Sequence, residues 1–134
     1  MILGLSTPGQ NTQIWLLPSG ANSKDESIKM LDWESGRELA DLLLSKLRDE
    51  AKLIDKQITD IEAIVIFSGP GSFTSLRIGH TVANTLADSL NIPIVGSLGD
   101  DWLDSGLKKL KDTKPGVPVW PFYGAEANIT RPKT

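Results

Sequence analysis

The amino-acid sequence predicts an α/β domain, a mixed five-stranded sheet with helices on its faces. Three observations carry this expectation. The opening, up to Leu31, holds three short apolar stretches separated by turns. Ala63-Ile64-Val65-Ile66-Phe67 is a continuous apolar run with β-branched residues, as a strand covered on both faces requires. Beyond residue 35, helical stretches alternate with strands, which implies crossovers and helical cover.

Residues 2–5 are apolar and form the first strand, and Pro8, Gly9 and Asn11 turn the chain. Residues 13–17 form the second strand and 27–31 a short third one. Ser35 and Glu38 make a Ser-x-x-Glu capping box before an apolar-periodic helix that runs to about residue 52. The buried strand at 63–67 leads through a tight loop, Ser68 to Ser72, into a second helix over 73–90. A short strand at 93–95 follows. Asp100 or Asp101 caps a third helix ending near 111, and residues 119–123 form a last extended piece. An antiparallel opening followed by parallel crossovers is the layout of ribonuclease H-like and actin-like (ASKHA) domains.

The 134 residues suit one domain, with residues 112–134 as an extended tail. There is no cysteine, which excludes disulfides and thiolate metal sites. The first residues lack a basic, long-apolar leader, and no stretch approaches the ~20 apolar residues of a membrane span. A cytoplasmic protein is expected. The net charge of −3 argues against a broad nucleic-acid footprint. Lys108, Lys109, Lys111 and Lys114 concentrate positive charge, but flanking leucines and aspartates make them a solvated helix face.

The segment Gly69-Pro70-Gly71-Ser72-Phe73-Thr74-Ser75-Leu76-Arg77-Ile78-Gly79 joins a buried strand to a helix start. Glycines there let a backbone approach an anion, and the N–H groups of the first turn point at it. The same residues also serve as a tight turn with an N-cap at Ser72 or Thr74. Neither the P-loop nor the dinucleotide fingerprint fits, because no lysine follows and Thr74 stands where a third glycine belongs.

As a string, GPGSFTSLRIG, preceded by IEAIVIFS and followed by ANTLADSLNIPIVGSL, resembles the TsaB (YeaZ) family. The opening MILGLSTPG and the tail YGAEANITRPKT are similar to it as well. The chain differs at Ser6-Thr7, where the family has an aspartate pattern, at Ser75 in place of glycine, and at Asn84-Thr85 in place of Lys-Gly. No counterpart of the family's larger second domain is expected. The resemblance implies a non-catalytic scaffold of the tRNA threonylcarbamoyladenosine complex. It binds a TsaD-type transferase, meets a TsaE-type ATPase through the complex, touches tRNA only indirectly, and forms a homodimer when alone. No cofactor is expected, with ATP or ADP entering only at an interface within the complex. Ser6, Thr7, Gly69, Gly71, Ser72 and Thr74 are the candidates for any such contact. The competing reading is a standalone degenerate actin-like ATPase or hydrolase that uses the loop from Gly69 to Thr74.

Catalysis in actin-like folds needs carboxylates at the ends of the first and central strands to hold a hard cation. Here those positions are Ser6-Thr7 and Ser68. Asp100, Asp101 and Asp104 cluster at a helix start, where acids favour the dipole. His80 is the single histidine, so a paired-histidine metal motif cannot form. It falls beside the polar face of the second helix and is expected to face solvent.

Both long helices carry apolar arcs of roughly half a turn or more, wider than the ~100° that covering a sheet demands. A surplus of this kind marks an interaction surface. The candidate partner face is Leu39, Leu43 and Leu47 on the first helix with Leu76, Gly79, Ala83, Ala87 and Leu90 on the second. Ile78, Val82 and Leu86 are left to cover the sheet. The competing view is that the small-residue stripe packs inside the chain.

Overall fold

The computed structural model describes residues 1–122. Three strands open the chain: β1 (Ile2–Ser6), β2 (Asn11–Leu17) and β3 (Lys29–Glu34). Then come α1 (Leu39–Lys52), β4 (Ala63–Phe67), α2 (Phe73–Leu90), β5 (Ile94–Ser97) and α3 (Trp102–Leu110). The sheet order is β3-β2-β1-β4-β5. β1 pairs antiparallel with β2, β2 antiparallel with β3, and β1–β4 and β4–β5 pair parallel. This is the mixed five-stranded, actin-like α/β arrangement expected.

Alternation along the strands sorts their side chains between two faces. Leu3, Leu5, Ile14, Leu16, Ile64 and Ile66 meet α1 and α2 in the larger core cluster. Leu17, Val65 and Val95 meet Trp102 and Leu103 of α3 in the smaller one. Phe67 stands edge-on to Trp102, with ring centroids 6.0 Å apart. Fully burying side chains of this size stabilises by about 1.5–3 kcal/mol each.

Strand β4 and helix α2 have the expected limits, whereas β3 lies a few residues later than expected. The start of α1 also differs. A 3₁₀ turn, Gly36–Glu38, precedes it, and the Ser35 side chain caps nothing. Ser35 Oγ instead bonds the Thr12 hydroxyl (2.8 Å), a buried partner across the chain that outcompetes the local cap. Asp101 starts α3 without a side-chain cap bond. Asp104 is engaged elsewhere, accepting from Ser23 N–H (2.9 Å) and Oγ (2.6 Å), which ties the β2–β3 connection to α3 and holds the Asp104 carboxyl below the usual range. Residues 119–122 cross the end of the sheet without forming a strand. The expected tail beyond them, including Tyr123, lies outside the described residues.

Candidate functional site

The glycine loop is tied to the end of β1. Ser72 N–H donates to the Pro8 carbonyl (2.8 Å). A Cβ on Gly71 would stand 2.8 Å from that carbonyl oxygen and 3.0 Å from Pro8 Cα, so the backbone approach itself demands glycine. Gly69 has φ +126°, a conformation side chains rarely adopt. The Gly69–Pro70 peptide is cis. Ser72 caps α2 by accepting from Ser75 N–H (3.4 Å), while Thr74 is exposed on the first turn and caps nothing. Asn91, in the left-handed region, closes the helix.

Thr7 is completely buried, and its hydroxyl donates to the Ser75 carbonyl (2.9 Å). Ser75 Oγ in turn donates to the Gly9 carbonyl (3.4 Å). Thr7, Gly71 and Ser72 thus meet around the β1 end, where the Thr7 hydroxyl and the Ser72 N–H are spent on the fold. Ser6 is buried too, and strand alternation turns it to the α3 side, away from them. Among the described residues no group of three or more His, Asp or Glu side chains is placed to hold a metal ion.

His80 does not face solvent as expected. It is 3 % exposed, with Nε2 2.9 Å from Ser68 Oγ and Nδ1 2.8 Å from the Leu76 carbonyl. Its spacing contained the signal: it lies four residues after Leu76 and three before Ala83, on the same helical row as the core positions. Burial holds its pKa below the ordinary value, and the hydrogen bond to Leu76 opposes this.

The candidate partner face also needs correction. Leu39, Leu43, Leu47, Leu76, Gly79, Ala83 and Ala87 are all buried inside this chain, and Leu90 is half-buried. The small stripe lets α2 lie tightly against β1, because a Cβ on Gly79 would collide with Thr7 Oγ1. The residues assigned to the sheet partly trade places with it. Leu86 is buried, but Ile78 and Val82 are half-buried and border an outward groove of about 310 Å³ together with Ala40, Thr74, Arg77 and Thr81. Leu44 and Phe73 are exposed apolar side chains on the same two helices, and the Arg77 guanidinium lies 5.4 Å from the Phe73 ring centroid. A helical projection shows two apolar sectors on α2 but does not tell which one meets the sheet.

Comparison with known proteins places these features. A family model described as TsaD, tRNA N6-adenosine threonylcarbamoyltransferase, matches residues 35–97. The tRNA threonylcarbamoyladenosine biosynthesis protein TsaB of Escherichia coli K12 is 29% identical over 101 residues, covering 69% of this chain and 44% of its own. TsaB of Bacillus subtilis 168 is 60% identical over 35 residues, 26% of this chain and 15% of that protein. The solved structure of YeaZ from Pseudomonas aeruginosa superposes over 72% of this chain and 43% of its own, with a TM-score of 0.63 and 27% identity. In sequence and in fold the chain is similar to TsaB (YeaZ) proteins. It spans less than half the length of these TsaB and YeaZ relatives. The TsaD-type match runs from the entry of α1 to the end of β5, so it contains both helices of the outward groove and the whole glycine loop.

Proposed function

We propose that this TsaB-type domain serves tRNA threonylcarbamoyladenosine biosynthesis as a non-catalytic scaffold. It docks a TsaD-type transferase on the outer face of α1 and α2. The observation that carries this reading is the groove between those helices, with half-buried Ile78 and Val82 in its wall and exposed Leu44 and Phe73 on the same helices. A solvated apolar groove of this kind gains by being covered, and the names of its relatives supply the pathway. The TsaE-type ATPase and tRNA join through the transferase, the cytoplasm is the setting, and the free domain uses the same face to form a homodimer. The domain alone holds no cofactor, since the end of β1 and the loop facing it carry hydroxyls but no carboxylate or lysine to hold a nucleotide and its cation; ATP or ADP contacts arise only where two subunits meet.

The test is to mix the chain with the TsaD-type protein of the same organism and measure mass by light scattering. A complex is expected with the unaltered chain. Thr81→Arg, which fills the groove with a charge on an exposed position, should keep the wild-type melt and lose at least tenfold in affinity. Absence of any complex, or full affinity in Thr81→Arg, refutes the reading.

A further inference from the structure

Residues 113–122 leave α3 and cross the ends of β4 and β5 to the flank of α2 without a helix or strand of their own. Three hydrogen bonds dock the end of this segment onto α2 and β4. The Asn84 side chain donates from Nδ2 to the Val119 carbonyl (2.8 Å) and accepts the Val119 N–H at Oδ1 (3.0 Å). Three residues on, Phe122 N–H donates to the Ser68 carbonyl (2.7 Å). Val119 is half-buried against the larger core, above Gly96, whose Cβ would stand 3.7 Å from the Val119 Cβ. Gly69 passes so close beneath that a Cβ there would collide with the Phe122 carbonyl oxygen. Trp120, by contrast, is 76 % exposed, and Val117 is 63 % exposed. The body therefore reads backbone at two places and one β-branched side chain.

That mode of reading is how proteins bind extended peptides in trans: backbone groups give the hold and a single pocket gives the choice. A side-chain amide is suited to it, since it offers a donor and an acceptor side by side. We propose that Asn84, the Ser68 carbonyl and the glycine shelf form a docking seat for an extended segment, filled here in cis by residues 119–122 and open in trans to the same segment of a second copy. The second copy is the occupant whose fit is already visible, because it carries the identical sequence. The connection that must reach across is exposed and contains Pro115, Gly116 at φ +99° and Pro118. The seat lies on the β5 side of α2, beside a groove bordered by Asn84, Ile92, Ile94 and Val117. It is thus separate from the groove shared with α1, and its fate is independent of transferase docking.

The experiment uses the full chain carrying Val119→Pro, which removes the N–H that Asn84 accepts and vacates the seat. A fluorescent peptide of residues 114–122 is titrated against it. Saturable one-to-one binding is expected, weakened at least tenfold in Val119→Pro/Asn84→Ala. Equal binding to both chains, or none to a Val119→Pro chain that melts like wild type, overturns the proposal. Equally tight binding of an unrelated extended peptide overturns the second-copy assignment. Should Val119→Pro fail to fold, amide exchange of the unaltered chain decides. The Val119 and Phe122 amides should exchange at least tenfold faster than that of Val65 in β4, and equal rates would mean that the seat never empties.

Discussion

Ser68 Oγ lies 2.9 Å from His80 Nε2, and the other ring nitrogen lies 2.8 Å from the Leu76 carbonyl. A carbonyl only accepts, so Nδ1 carries the proton and Nε2 accepts from the serine. In the neutral ring the two contacts fix one tautomer. Burial disfavours the charged form, and no charged group contributes to the shift.

Acid should therefore weaken the fold before its carboxylates titrate. The unfolded chain takes up the histidine proton near the ordinary value of 6.5, and the folded chain only at lower pH. Between the two values the unfolded state holds more protons, so stability falls as pH drops through that window, by at most about 1.4 kcal/mol per pH unit. Above it the ring is neutral in both states and adds no slope. Urea melts at several pH values between 7.5 and 5.5 should show the decline, and His80→Gln should flatten it. An unchanged slope in the variant would place the titrating group elsewhere.

Gly79→Ala should destabilise by about 1–3 kcal/mol, the usual range for overpacking, because the new methyl meets Thr7 Oγ1. Thr7→Ala should cost stability alone yet relieve the clash. The double variant is then expected to be more stable than the sum of the two losses allows, and a thermodynamic cycle of four melts measures the difference.

Gly71→Val should lower the melting temperature of the ligand-free chain. The cause is contact with the backbone of Pro8, 2.8–3.0 Å from the position of the new Cβ. Thermal unfolding monitored by circular dichroism reads this directly. A wild-type melt would show that the loop and the β1 end separate without cost.

Ala83→Glu places a carboxylate in the core between α2 and the sheet, where an unpaired charge costs several kcal/mol. The variant should aggregate or lose its cooperative melt, in contrast to Thr81→Arg two residues earlier. Size-exclusion profiles of the pair compare the two sides of one helix. A folded, monomeric Ala83→Glu chain would return the small stripe to the surface.

Much of this architecture was legible in the residues. The continuous run at Ala63–Phe67 and the Ser72 and Asn91 ends of α2 carry local signals strong enough to set their limits. The α1 start departs from the capping box its residues suggest because Ser35 has a better partner in Thr12, distant in sequence. The orientation of α2 is not encoded locally, because two apolar sectors look alike on a projection. What separates them is Thr7, whose buried hydroxyl reaches the helix backbone and admits only glycine opposite. The clasp of Val119 by Asn84 spans 35 positions and leaves no periodic trace.

The order of strands across the sheet also bears on how the chain is made. β1 pairs with β2 within a dozen or so residues, Ser6 opposite Gln13 and Ile2 opposite Leu17, but its other edge waits for β4, with Ile2 opposite Ala63. As the polypeptide leaves the ribosome, the hairpin ribbon β1–β2–β3 is available early, with one flank of its central strand still bare. The parallel half can close only after α1 and the connection behind it have emerged, and such long-range pairing is the slow part of sheet formation. During that interval the nascent chain presents Leu3 and Leu5 without the cover that β4 and the two helices later provide.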